Sequence, residues 1–197
     1  MNKPFSPACE RNRDPILNLL REIFADRRRV LEIGSGTGQH AVYFGAALPQ
    51  LQWQTSDRPE NHPGIQAWLD EARLPNVRPP LVLDVAASSW PADRYDAVYT
   101  ANTCHIMSWE EVQAMFDGIG QVLEPGGLLC IYGPFNYRGA FTSDSNARFD
   151  ASLRAQAPHM GIRDAEAIDA LAAQQGLVLQ ADHAMPANNR LRVWKKQ

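Results

Sequence analysis

Apolar residues along the chain fall into short runs, and between the runs they recur every three or four positions. Runs bounded by turn residues suit strands covered on both faces, which predicts strands at 29–33, 51–56, 81–85, 95–100 and 127–132. The helical spacing predicts helices at about 38–48, 64–74 and 108–123. Ser108-Trp109-Glu110-Glu111 has the form of a capping box that opens the last of these, and Glu124-Pro125-Gly126-Gly127 is expected to break it. A first helix is predicted to start at Asp14-Pro15, with Asp as N-cap and Ile16, Leu19, Leu20, Ile23 and Phe24 as its stripe, after an irregular segment 1–13. The segment 86–94 has room only for a small helix.

Strand–helix alternation of this kind predicts a parallel, doubly wound sheet. The tail departs from it. A helix at about 163–175, ended by Gly176, precedes two runs, 177–182 and 190–194, joined through Asn188-Asn189. The expectation is an α/β fold with a mostly parallel seven-stranded sheet and a C-terminal antiparallel hairpin at one edge. One domain is expected over 1–197: an N-terminal cap and helix (1–28), a cofactor-binding half (29–132), a lid-like insertion (133–162) and the closing helix and hairpin (163–197).

Composition narrows the function classes. With a net charge of -3 and a sequence pI near 5.9, nothing draws the chain to nucleic acid or an anionic membrane, so neither partner is expected. Three cysteines without a C-x-x-C and five histidines without ligand spacing indicate neither a disulfide framework nor a metal site. No apolar stretch is long enough for a membrane helix or a signal peptide, which makes a reducing cytoplasm the default compartment.

The chemistry starts at Val30-Leu31-Glu32-Ile33-Gly34-Ser35-Gly36-Thr37-Gly38, an apolar run feeding a glycine turn and then a helix. Glycine admits a ligand where a Cβ would collide, and the following helix offers backbone N–H groups. A dinucleotide fingerprint, G-x-G-x-x-G, would need glycine at position 39, which is Gln39. Glu-x-Gly-x-Gly-x-Gly instead resembles motif I of the Rossmann-like, class I methyltransferases that use S-adenosylmethionine. Open α/β sheets bind ligands at the carboxyl ends of their strands. Asp57 ends the second run, about 20 residues past the glycines, as a ribose-binding carboxylate would. Asp84, at the end of the third, fits the adenine amine. Glu32 is expected to anchor nearby backbone N–H groups or water beside the amino-acid end of the cofactor, because an unpaired buried carboxylate is costly. Ala101-Asn102-Thr103-Cys104-His105-Ile106, after the fourth run, resembles motif IV of that fold. There Asn102 could bridge the cofactor ammonium and His105 could take a proton near neutral pH.

The flanks are more specific than the glycine turn. Glu10-Arg11-Asn12, Tyr132-Gly133-Pro134-Phe135-Asn136-Tyr137, Ser145-Asn146-Ala147-Arg148-Phe149-Asp150-Ala151-Ser152-Leu153-Arg154 and Gly161-Ile162-Arg163-Asp164 together are similar to the methyltransferase-like domain-of-unknown-function family numbered 938. The likeness spans about 9–194 and implies the class I fold and an S-adenosylmethionine site formed by Gly34, Ser35, Gly36, Gly38, Glu32, Asp57, Asp84 and Asn102. Arg11 could pair with the methionine carboxylate. The connection 133–162 is expected to form the acceptor pocket, and its Tyr137 is a second candidate base beside His105. The implied reaction is direct methyl transfer to a small-molecule acceptor. Two other readings stand beside it: a non-catalytic cofactor- or protein-binding module, and an NAD-dependent oxidoreductase, against which the glycine spacing and Asp84 count.

Overall fold

The computed structural model describes residues 3–86 and 89–197, so Ala87 and Ser88, within the segment expected to hold a small helix, lie outside the described residues. Two compact units divide the chain: Met1–Asp84 with Tyr95–Thr100, and Val85–Arg94 with Ala101–Gln197.

In the first unit, α1 (Pro7–Ile23) precedes β1 (Arg29–Ile33), α2 (Gln39–Ala47), β2 (Gln52–Asp57), α3 (His62–Ala72), β3 (Val77–Val82) and most of β4 (Tyr95–Ala101). β1 pairs in parallel with both β2 and β4, and β2 with β3. The core is aromatic: Phe44 of α2 lies 5.6 Å from both Trp53 of β2 and Tyr99 of β4, all fully buried. Each such side chain removes some 150–250 Å² from water, which outweighs the weak strand preference of polar β2.

Two expectations fail here, each for a local reason. Helix α1 starts not at Asp14 but at Pro7, where Ser6 caps it by accepting from the Cys9 N–H, and Pro15 sits inside it. A proline at position 15 therefore costs one backbone hydrogen bond rather than opening the helix. The third strand runs over 77–82, not 81–85, and includes Pro79 and Pro80. Prolines are tolerated because β3 is an edge strand. Side chains of β2 support it: the Gln54 amide donates to Pro79 O and the Thr55 hydroxyl to Arg78 O. Asp84 consequently lies two residues beyond the strand and is exposed.

The second unit holds α4 (Trp109–Val122), β5 (Leu123–Gly133), β6 (Phe135–Asn136), α5 (Asp144–Gln156), β7 (Arg163–Asp164), α6 (Ala165–Gln174), β8 (Leu177–Met185) and β9 (Asn189–Lys196). The capping box at Ser108 is present in both directions. The expected breaker Glu124-Pro125-Gly126-Gly127 lies inside β5, with Gly126 at φ 77°. β9 runs antiparallel to both β5 and β8, forming the reversed hairpin. The connection after β5 is not a bare loop: it carries β6, which pairs in parallel with β7, and the thirteen-residue α5. Strand order across the whole sheet is β3-β2-β1-β4-β5-β9-β8. The result is the expected α/β fold, seven strands mostly parallel with an antiparallel C-terminal edge.

Candidate functional site

The strand order reverses between β1 and β4, and the glycine turn follows β1 directly. All three of Gly34, Gly36 and Gly38 have left-handed backbone, at φ 69°, 58° and 88°. Their uses differ. A Cβ on Gly38 would stand 3.0 Å from the Ile65 Cα, so Gly38 lets α3 approach the turn. A Cβ on Gly36 would meet nothing within 4 Å. Gly36 faces open space, and it lines a cavity of about 490 Å³ with Pro4, Thr37, Glu60, Asn61, Pro63 and Gly64.

Asp57 ends β2 beside this turn. One carboxylate oxygen accepts from the Gly36 N–H at 2.7 Å, and the other from the Arg58 N–H and the Asn61 amide, both at 2.8 Å. Its carboxylate is thus fixed at the base of the turn, and Asn61, which sequence reasoning passed over, is one of the groups that fix it.

Glu32 is buried under the turn. One of its oxygens accepts from the Ser35 hydroxyl at 2.8 Å and the Trp53 indole N–H at 3.0 Å. The expected backbone partners are replaced by side chains. Burial pushes the Glu32 carboxyl up to about 7, opposed by those two hydrogen bonds. Ser35 also accepts from the Ser56 N–H, so its hydroxyl joins the ends of β1 and β2 from below. Of the Glu10-Arg11-Asn12 triplet, Arg11 is exposed while Asn12 is buried. The His40 Nε2–H donates to Asn12 Oδ1 at 2.7 Å, and His40 Nδ1 faces the Tyr99 hydroxyl at 3.4 Å. Burial, then the Arg13 charge, lower the His40 pKa to about 4.

In the second unit, the segment after β4 opens with Asn102 at φ 59°, its N–H donating to Tyr132 O. Left-handed backbone at a non-glycine residue is a local cost that asparagine carries better than most. Asn102 Oδ1 and His105 Nδ1 both lie 3.8 Å from the point where a Cβ on Gly133 would be. His105 is buried, its ring edge-on to Phe149 at 5.3 Å. Burial first and the Arg163 charge second lower its pKa to about 4, so the imidazole is neutral at pH 7.

The motifs that set the flanks apart hold this turn in place. The Arg163 guanidinium donates to Cys104 O, Met107 O and His159 O. The Gly161 N–H donates to His105 O at 2.9 Å. Asp150 accepts from the Ile162 N–H and from Arg154, whose guanidinium packs so close that a Cβ on Gly161 would stand 2.6 Å from it. Tyr137 is engaged elsewhere. Its hydroxyl donates to Asp182 at 2.6 Å, and burial with that partner raises its pKa to about 12. Asp182 also receives Arg190 and the buried Arg192. Asn136 Oδ1 and Asp164 Oδ1, opposite each other in the β6–β7 pair, are buried without a hydrogen-bond partner. Among the described residues no group of three or more His, Cys, Asp or Glu could hold a metal, and no helix is long and apolar enough to cross a membrane.

A sheet with this order, a left-handed glycine turn after its first strand and a reversed C-terminal hairpin define the class I methyltransferase fold. Solved structures agree. An O-methyltransferase family protein from Burkholderia thailandensis is similar at 18% identity and a TM-score of 0.83, over 93% of this chain and 56% of its own. The S-adenosylmethionine-dependent methyltransferase SibL is similar at 22% identity and a TM-score of 0.81, over 96% of this chain and 55% of its own. A riboflavin-derivative dimethyltransferase, RosA, from Streptomyces davawensis reaches 18% identity and a TM-score of 0.79, over 96% and 55%. The chain spans little more than half the length of these proteins, and at such identities the likeness concerns the fold. Within that fold the chain belongs to the family described as protein of unknown function DUF938, which it matches over residues 3–196.

Proposed function

We propose that this protein transfers a methyl group from S-adenosylmethionine to a small-molecule acceptor. The observation that carries the reading is the open, left-handed Gly36 beside the fixed carboxylate of Asp57. The reading is supported by the space above Gly36, where a Cβ would meet nothing within 4 Å, and by the acceptor site that the Asp57 carboxylate keeps beyond its three bonds, enough for one ribose hydroxyl. Gly34–Gly38 and Asp57 would hold the adenosine, with exposed Asp84 on its base; Glu32 and Ser35 act from beneath, by keeping the turn in shape. Arg11 and Asn102 are the proposed partners of the methionine end. The cofactor, when bound, supplies an already activated methyl, so alignment is the main demand on the protein and can be worth on the order of 7–11 kcal/mol.

His105 is the proposed base. A neutral imidazole, on backbone held by the Gly161 and Arg163 contacts, accepts the proton that a hydroxyl or amine acceptor gives up. Tyr137, already donating to Asp182, is the weaker candidate. Segment 133–162 is proposed to form the acceptor pocket, with Phe149 against His105 and the unpaired Asn136 oxygen ready for a donor on the acceptor. Support for the cofactor comes from the fold shared with S-adenosylmethionine-dependent enzymes and from PigF, a similar structure solved with S-adenosylhomocysteine.

The test is turnover with methyl-labelled S-adenosylmethionine against a panel of small hydroxyl, amine and thiol compounds. Label should move to product in the wild type and fail to do so in Asp57→Ala. Cofactor binding without transfer to any acceptor would favour the non-catalytic module, and tight NAD binding the oxidoreductase.

A further inference from the structure

Position 39, where a dinucleotide fingerprint has its third glycine, carries a glutamine that is 4% exposed. Gln39 is the first residue of α2, and Gly38 caps that helix without a side chain. In dinucleotide-binding folds the pyrophosphate sits at this helix end, drawn by free N–H groups and the helix dipole. Here the end is filled from within. Gln39 Oε1 accepts from the Ser6 N–H and the Thr37 hydroxyl, and its amide nitrogen lies 3.5 Å from Glu10 Oε2. Ser6 is itself the N-cap of α1, so the heads of two helices meet around one glutamine and one carboxylate. A negative side chain at that point answers both dipoles.

Residues 3–6 then cross the turn as a strap. The Trp68 indole N–H donates to Pro4 O at 2.7 Å, and Pro4 packs on Gly64, where a Cβ would come within 2.6 Å of its ring. Lys3, the strap's cation, is committed: its ammonium stands 3.7 Å over the Trp68 ring and bridges to Glu71. Pro4 thereby becomes a wall of the cavity opposite Gly36 and Thr37. Arg13, the neighbouring cation on α1, is paired with Glu10.

We propose that Gln39, Ser6 and Glu10 act as a phosphate filter: they stopper the head of α2, so the cradle takes a phosphate-free nucleoside and rejects nucleotides. Selectivity comes from repulsion as much as from fit. A phosphate placed there meets the Glu10 carboxylate, and the Ser6 N–H and Thr37 hydroxyl beside it already donate to Gln39 Oε1. This rests on the nucleoside reading of the Gly36 cradle, and it makes the departure from the fingerprint a functional one.

The experiment is calorimetric titration of the full chain with adenosine, AMP, ADP and S-adenosylhomocysteine, in wild type, Glu10→Gln and Gln39→Gly, with thermal unfolding to verify each fold. The wild type should bind adenosine at least about tenfold more tightly than AMP or ADP. In Glu10→Gln, which keeps size and shape, that ratio should fall severalfold while adenosine affinity holds; Gln39→Gly should lower it further. AMP binding as tight as adenosine in the wild type overturns the filter, as does a ratio unmoved in folded variants. If S-adenosylhomocysteine binds without any adenosine preference, only the filter falls. If the preference stands but S-adenosylhomocysteine does not bind, only the methyltransferase reading falls. Binding of neither nucleoside overturns both.

Discussion

Replacing Glu32 by glutamine should change how stability depends on pH, by an amount that follows from its burial. The carboxyl is displaced from its ordinary 4.5 up to about 7 because it is enclosed, with only Ser35 and Trp53 to stabilise the charge. Between those two values the folded chain holds a proton that the unfolded chain has released. Stability from this group is therefore full below about pH 4.5 and is lost as pH rises through about 7, a decline of about 3 kcal/mol in all. Glutamine cannot titrate, yet its carbonyl oxygen can still accept from both donors. Two histidines work in the other direction: His40 and His105, each lowered to about 4, add stability that disappears on acidification toward that value. They are common to both proteins, so the difference between wild type and Glu32→Gln isolates the carboxylate. Urea denaturation across about pH 4.5 to 8.5 should show the variant gaining about 3 kcal/mol on the wild type as pH rises. The indole N–H resonance of Trp53 should titrate near pH 7 in the wild type only. A stability difference flat with pH would refute the burial argument and leave Glu32 an ordinary ionised carboxylate.

Other substitutions separate the parts of the site. Gly38→Ala should destabilise the fold by roughly 2–4 kcal/mol in chemical denaturation, combining left-handed backbone with the crowding against Ile65. Gly36→Ala should cost only about 1 kcal/mol of stability but weaken S-adenosylhomocysteine binding at least tenfold, since its Cβ enters the space proposed for the nucleoside. Asn12→Ala strands the buried His40 N–H and should cost about 1–3 kcal/mol of stability. Once an acceptor is found, His105→Gln should lower kcat by roughly 10²–10⁴ with cofactor affinity unchanged, whereas Tyr137→Phe should leave kcat near wild type.

The short apolar runs alternating with helical spacing, together with the glycine turn, made the parallel half of the sheet legible, because such patterns have few physical alternatives. Strand β3 was obscured by Pro79-Pro80, which local propensity forbids and an edge position permits. The first two turns of helix α1 are hidden because Asp14-Pro15 mimics a start signal, while the true cap, Ser6, sits in an unremarkable stretch ahead of Pro7. Among site residues, strand ends pointed to Asp57 through spacing alone. Asn12, Gln39, Asn61 and Asn136 carried no such signal: their importance lies in partners remote in sequence, as with Asn12 and His40, 28 positions apart. One clue to Gln39 was present, since it stands where a glycine would have completed a different fingerprint. The Asp150–Arg154–Gly161 lock gives two of the stretches carrying the family likeness, 145–154 and 161–164, a structural task away from the glycine turn: they fix the backbone at His105.

The central claim is that the turn at Gly36 and the carboxylate of Asp57 grip an adenosine. Titrating S-adenosylhomocysteine into the wild type and into Asp57→Ala tests it most directly. Saturable one-to-one binding, weakened at least tenfold in the folded variant, is the result expected. No heat in the wild type, or equal affinity in both proteins, would contradict it.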